Sequence, residues 1–399
     1  MTRSTADLVV VGAGTVGGWA SVFAAMSGAP DVVVLERDLA GQGASSRAAG
    51  VVRAQGGTPD TVRLGMWSIN FYRRQRDLFG TDSRFREMGY VILAGTKTED
   101  QAAHERIAMQ RETDLDVRWV GPAEIRDLNP TMAETGYRGG SYAATDGFID
   151  PPRNVRAYML AMQQHGVDLK ERTSFTGLRT QGSKVTGVHT PEGVIATERV
   201  LLTGGPTLRD VAKTAGARVF VGGARHQVVV TEPHDSFRVE RQPMMFDLKG
   251  GIYWRLEEGG LLWGMSNPHE TPGEATSIDW RYLRKMERRL HRLVPVTKDL
   301  GIRKAWAATI EYTPDHLPIL GPLRARDGTE IEGASIASVC GHGMMWGPAV
   351  ARIAVDIALD GSTDVIERPH DLGMDRFDDE GYSPYYDPVA LPFPVSADD

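Results

Sequence analysis

Gly12, Gly14, Gly17 and Glu36 are the residues of this 399-residue chain whose types and spacing speak most directly of chemistry. They lie in LVVVGAGTVGGWASVFAAMSGAPDVVVLE, residues 8–36, where two apolar runs flank an alanine-rich helical segment. Gly12 allows a tight turn, Gly14 lets the backbone approach a pyrophosphate, and Gly17 lets helix and strand pack closely. Thr15 and Val16 open the helix, whose free N–H groups and partial positive charge face the phosphates. Glu36 ends the second run, where a carboxylate can accept both hydroxyls of a ribose. The pattern predicts a dinucleotide site.

A second set of polar residues follows in GASSRAAGVVR, residues 43–53. Ser45 and Ser46 either offer hydroxyls to the pyrophosphate or cap a helix, and Arg47 can offset phosphate charge. Near the other end, Gly341-His342-Gly343 reads as the turn between a strand (Ile336 to Cys340) and another helix (Pro348 to Leu359). Pro348 is expected in its first turn, where a missing N–H costs nothing. His342 either faces a ligand or fills the turn. An arginine fork can grip a substrate carboxylate in two-pronged geometry, and Arg53, Arg255 and Lys249 are among the cations to consider for it. Arg53 serves equally as a salt-bridge partner, and Arg255, on a strand of period two, faces in or out. Tyr253, Trp254 and Trp346 wall a pocket or belong to plain core. His226 and His342 are the histidines to consider as a base.

The elements that must position these groups follow from periodicity. Helices are predicted over Met66 to Leu78 (Trp67, Phe71 and Leu78 on one side), near Glu99 to Arg111, from Asn154 to before Gly166, and over Ser277 to Leu293. In the last, Trp280, Leu283, Leu290 and Leu293 are expected inward, with Arg281, Arg284, Lys285, Arg288 and Arg289 on a solvated basic face. Strands are predicted at Tyr90 to Leu93, Val185 to Thr190, Arg199 to Thr203 and Gln227 to Thr231, with a hairpin over Gly251 to Met265.

Composition sets outer bounds. Net charge is −7 with 41% hydrophobic residues, which argues against a nucleic-acid partner. No apolar run approaches the ~20 residues of a membrane span, and the first strand starts too early to leave room for a cleavable leader. The expectation is a cytoplasmic chain. Its one cysteine, Cys340, excludes an internal disulfide and a multi-cysteine metal site; no metal is predicted, and Cys340 is expected as a small buried hydrophobe within a strand.

Four stretches give the chain a family resemblance: VVVGAGTVG with Glu36, GASSRAAGVVR, WAATIEYTPDHLPILGP (residues 306–322) and VCGHGMMWGPAVARIAVDIALDG (residues 339–361). It resembles the D-amino-acid oxidase superfamily of FAD-dependent oxidoreductases, in the branch of sarcosine oxidase, glycine oxidase and dimethylglycine dehydrogenase. The fold class implied is α/β, a discontinuous Rossmann-like FAD-binding domain interleaved with an α+β substrate domain built on an antiparallel sheet. The FAD-binding pieces are expected at 1–84, 146–215 and 303–365, the substrate domain at 85–145 and 216–302, and a surface-wrapping tail at 366–399.

The resemblance implies cofactor contacts at Gly12, Gly14, Thr15, Val16, Gly17, Glu36, Arg37, Ser45, Ser46, Arg47, Ala49, Gly50, Val51, Phe175, Thr203, Gly204, Gly205, Gly341, Gly343, Met344, Met345 and Trp346. It gives Arg53, His342 and Arg255 catalytic positions, and Arg53, Tyr253, Arg255 and Trp346 substrate positions. Where relatives attach FAD through histidine or cysteine, this chain has Arg47 and Ala308, so the implied FAD is noncovalent. Leu262 stands where sarcosine oxidases carry an oxygen-activating lysine, and Ile310 where glycine oxidases carry a carboxylate-binding arginine. The implied reaction is oxidation of the C–N bond of an amino acid or N-substituted amine: hydride goes to flavin N5 and the imine is hydrolysed. The flavin is then reoxidised by O2, with H2O2 formed, or by another acceptor. Oxidation of a 2-hydroxy acid is the alternative, and so is a flavin-bearing subunit of a heteromeric complex; a homo-oligomer is also compatible.

Overall fold

The computed structural model describes residues 4–133 and 136–389. The strands Leu8–Val11 and Val32–Leu35 pair in parallel. Val200–Leu202 joins the other edge of Leu8–Val11 and Glu330–Ser338 joins in turn, while Asp168–Lys170 extends the far side. This parallel core belongs to a nine-stranded sheet; Lys184–Thr190 joins Glu330–Ser338 in parallel, and Gly177–Gln181 and Ile319–Arg324 add antiparallel to Lys184–Thr190 and Glu330–Ser338 respectively.

The apolar runs explain why the sheet is buried on both faces. Leu8 and Val10 pack among the helices Thr15–Met26, Pro59–Phe79, Pro151–Gln164 and Gly343–Asp360, whereas Val9 and Val11 pack with Leu208 and Ala212 of the helix Leu208–Thr214. Successive side chains point to opposite faces, so a continuous apolar run suits a strand covered on both sides.

The second sheet has eight strands, in the order Ile302–Tyr312, Gly222–Thr231, Gly260–Ser266, Ile252–Glu257, Met244–Asp247, Tyr90–Ala94, Gly139–Ala143 and Arg118–Val120. Residues 303–312, expected with the nucleotide-binding pieces, are instead the edge strand of this sheet. Glu258 and Gly259, at φ 49° and 76°, form the two-residue turn of its predicted hairpin. Met245, Trp254 and Trp263 bury one face against the helix Trp280–Leu293; Tyr90, Val228, Phe246 and Tyr253 form the other.

Several local expectations change. Leu78, placed on one side with Trp67 and Phe71, is 43% exposed, and Phe79 at the helix end is buried instead; Trp280, assigned inward, is 53% exposed at the first position of its helix. Arg289, assigned outward, turns back to pair with the buried Asp247 carboxylate. Cys340 is fully buried as expected but sits after the strand, in a turn at φ 46°. The tail does not stay on the surface: Asp387 and Val389 are buried, and residues 390–399 of that expectation lie outside the described residues.

Candidate functional site: a cavity between the two sheets

Gly12 adopts φ 101°, a left-handed region that favours glycine. A Cβ on Gly17 would stand 1.9 Å from Gly12 O and 2.5 Å from Thr203 Oγ1, so only hydrogen lets helix and strand approach this closely. Thr203 Oγ1 donates to Val11 O at 2.9 Å and Tyr158 Oη to Ala13 O at 2.9 Å, clamping the turn from both sides. Ser45 Oγ accepts from Thr15 N at 2.9 Å, tying the short helix Ala44–Arg47 to the first helix tip. The Glu36 carboxylate reaches the glycine turn, where Oε2 accepts from Ala13 N at 2.9 Å.

The second tip is the start of Gly343–Asp360. Pro348 lies in its second turn rather than its first, as the sixth helical residue. There it removes the N–H that would reach Met344 O, and Tyr72 Oη supplies the missing donor at 2.9 Å.

Both tips open on one cavity of about 1080 Å³, counting its open mouth. Gly14, Thr15, Val16, Ser45, Ala49, Gly50, Val51, Thr203 and Gly205 line it from the first side, and Gly341, His342, Gly343, Met344 and Met345 from the second. Arg53 and Tyr253 line it as well. The glycine cradle and two helix tips on one cavity suit the pyrophosphate and ring system of FAD; Glu36, expected at the ribose, is not on the cavity wall, and its carboxylate accepts from Ala13 N and Asp38 N.

Other expected contacts fall elsewhere. Gly12 and Gly17 shape the turn from behind. Arg37 is exposed and pairs with Asp38 and Glu274. Ser46, the exposed side chain of Arg47, Phe175 and Gly204 are not on the cavity wall, and Arg47 O accepts from Trp306 Nε1 at 2.8 Å. Trp346 lies behind the tip with its ring 4.2 Å from that of His342.

Arg255 is the clearest correction. It is buried, but Nε and Nη2 donate to Ala49 O at 3.1 and 3.0 Å, and Nη1 bonds Leu256 O and the Glu257 carboxylate. Its guanidinium braces the wall from outside, and Lys249 points to Glu99 at 4.0 Å. Neither lines the cavity.

Arg53 lines the cavity yet is anchored behind it, donating to Gln55 O and, at 2.7 Å, to Val389 O. The stretch after it is fixed by buried Asp146, which accepts from Ala54 N at 2.8 Å and Gln55 Nε2 at 3.1 Å. Burial pushes the Asp146 carboxyl up to about 6.

His226 Nε2 and Tyr253 Oη are 2.6 Å apart, and His226 Nδ1 meets Ser266 Oγ at 2.8 Å. The two residues sit on strands separated by Gly260–Ser266, so the phenol must cross that strand. Gly264 makes this possible, because a Cβ there would lie 2.2 Å from Tyr253 Oη. Burial pushes the imidazole down to about 4 and the phenol up, so a neutral histidine faces a protonated tyrosine. His342 is pushed down to about 3 by burial and by Arg53.

Tyr90, Phe246 and Glu311 also line the cavity and were not picked out from the sequence. The available signal was their alternation on β runs that end at glycine or proline turns.

The architecture is that of a dinucleotide-binding oxidoreductase with a cavity lined from both sheets. A profile of the family DAO, FAD dependent oxidoreductase, matches residues 7–357, and the chain belongs to that family. It is 25% identical over 367 residues to 4-methylaminobutanoate oxidase (formaldehyde-forming) of Paenarthrobacter nicotinovorans, covering 89% of this chain and 44% of that protein. With mouse mitochondrial dimethylglycine dehydrogenase the identity is 25% over 388 residues, covering 93% and 44%. The chain thus spans less than half the length of these relatives. The structure of L-proline dehydrogenase from P. horikoshii shares the fold with a TM-score of 0.86 at 24% identity, covering 94% and 98% of the two chains. Among the described residues no helix is long and apolar enough to cross a membrane.

Proposed function

We propose that this chain oxidises the C–N bond of a carboxylate-bearing secondary or tertiary amine, using FAD held without a covalent bond. One observation carries the reading: two glycine-rich helix tips, Arg53 and the His226–Tyr253 pair meet in a single cavity. When bound, FAD supplies the two-electron acceptor for the C–N bond. Gly12–Gly17, Glu36 and Ser45 would hold its nucleotide half, and the Gly341–Met345 turn its ring system. Ala308, which faces His226 across the ladder, and Arg47 provide no thiol or imidazole for attachment.

Arg53 offers its remaining donors to the substrate carboxylate, since a guanidinium carries five N–H groups. Its charge also favours the neutral form of a nearby amine, whose lone pair must be available. Tyr253 donates a hydrogen bond to His226 Nε2, leaving an oxygen lone pair for the N–H of a neutral secondary amine. As the C–N bond is oxidised, that N–H proton moves to Tyr253 and the phenol proton to the neutral imidazole, giving the imine; a tertiary amine has no such proton and leaves as the iminium ion. Tyr90 and Phe246 exclude water from the wall. The imine leaves to be hydrolysed in solvent. Buried Leu262 brings no ammonium group to this wall, in keeping with an electron acceptor other than O2.

The same pair could take a proton from a hydroxyl, so oxidation of a 2-hydroxy acid is the second reading. Anaerobic mixing of the FAD-loaded protein with N-methylglycine, N,N-dimethylglycine, 4-methylaminobutanoate, L-proline and L-lactate separates them. Bleaching of the flavin band by amines supports the proposal; bleaching by lactate alone overturns it.

A further inference from the structure

Glu311 is the carboxylate on the cavity wall, and the proposed function leaves it without a task. It lies on the edge strand Ile302–Tyr312, opposite Gly223, and is 4% exposed. Val339 N donates to Oε1 at 2.6 Å, which fixes the carboxyl plane. Oε2 is buried without a hydrogen bond of good geometry; the Ser338 hydroxyl is its polar neighbour and, with Val339 N, partly offsets the upward push of burial. No arginine, lysine or histidine contributes to its titration. The groups facing it are Cys340, in the turn after the neighbouring strand, and, on the other cavity walls, Arg53, Tyr90, His226, Tyr253 and His342. A buried carboxylate normally has a cation or several donors. This one has one backbone N–H and a neighbouring serine hydroxyl, and no cation.

The geometry points to Glu311 as the group that receives the substrate's ammonium, accepting its proton on Oε2 so that the amine becomes neutral. This rests on the proposed amine reading. It assigns the two ends of the substrate to two charges, the carboxylate to Arg53 and the nitrogen to Glu311, and so selects a zwitterionic amino acid over a simple carboxylic acid. The step transfers one proton: the N–H⁺ bond breaks, an O–H bond forms on Glu311, and the nitrogen lone pair is released. Burial pushes the Glu311 carboxyl up to about 7, and Arg53 lowers the bound amine toward it, which brings donor and acceptor closer in proton affinity.

The test compares FAD-loaded wild type with Glu311→Gln, which keeps an oxygen for Val339 N. Binding of N-methylglycine and L-proline is read from the concentration dependence of anaerobic flavin reduction between pH 5.5 and 9. Methoxyacetate, a carboxylate with no charge at the nitrogen position, is read from flavin absorbance. In wild type, amine affinity should rise about tenfold as pH passes through the Glu311 titration. E311Q should lose that rise and bind amines about tenfold more weakly at pH 8, with flavin content and methoxyacetate affinity unchanged. A pH step that persists in E311Q overturns the assignment, as does a variant whose flavin spectrum shifts while amine binding does not, which would place Glu311 on the cofactor. If no amine reduces the wild-type flavin, the amine reading itself fails.

Discussion

Tyr72 Oη donates to Met344 O at 2.9 Å, at the position where Pro348 cannot. A proline inside a helix leaves the carbonyl four residues earlier unpaired, and here that carbonyl lies on the tip that lines the cavity. The helix Pro59–Phe79 thereby sets the height of the Gly341–Met345 turn.

Tyr72→Phe should destabilise the apoprotein by about 1–3 kcal/mol, the cost of a buried unpaired carbonyl. Adding Pro348→Ala restores an N–H and should recover part of that loss. Urea unfolding of the two single variants and the double variant checks this; strict additivity would deny the coupling.

Gly264→Ala places a methyl group where Tyr253 Oη now passes. It should lower the rate constant of flavin reduction by roughly 10²-fold, the order of a lost acid–base contact, and Tyr253→Phe should do the same with flavin content retained. Stopped-flow reduction with an amine substrate measures both. Unchanged rates would remove the pair from the reaction.

How much of this was legible in the sequence depends on distance along the chain. The glycine turn, its helix and Glu36 lie within one short segment, and alternation plus helical spacing place them without tertiary information. Arg255 shows the limit: period two puts it on a strand, but only the packed structure shows its guanidinium spent on Ala49 O behind the wall. Glu311 meets Val339 N across 28 residues and His226 meets Tyr253 across 27; the first meeting comes from packing of one sheet on the other and the second from register between strands, and no local pattern carries either. Pro348 looked like a helix start because its effect inside a helix is cancelled by Tyr72, a residue far away in sequence.

Burial of His226 predicts a pH signature. Burial holds its pKa at about 4 in the folded protein, below the ordinary 6.5 of an imidazole in water, so the unfolded chain binds more protons between those values and this residue's contribution to stability rises with pH there. Asp146 and Glu311, pushed up by burial, act in the opposite sense, so the comparison with His226→Gln isolates the histidine. The wild-type advantage over that variant should grow from pH 4 to 6.5, by at most ~1.4 kcal/mol per pH unit. A constant difference in urea midpoints would mean the imidazole is charged in the folded protein.

Asp387 accepts from Gly57 N at 3.2 Å and Val389 N at 2.8 Å, and Val389 O in turn receives Arg53. Asp387→Ala should free this segment at a cost of about 1–3 kcal/mol. It should also weaken binding of carboxylate substrates, because Arg53 loses its anchor. Thermal unfolding and KM measured together check the link; loss of stability with KM unchanged would uncouple the tail from Arg53.

The most direct test of the whole account is titration of the purified protein with FAD, followed by acid precipitation. The account predicts saturation at one FAD per chain, with all of the flavin released to the supernatant. Failure to bind FAD, or flavin that stays with the precipitated polypeptide, would contradict it.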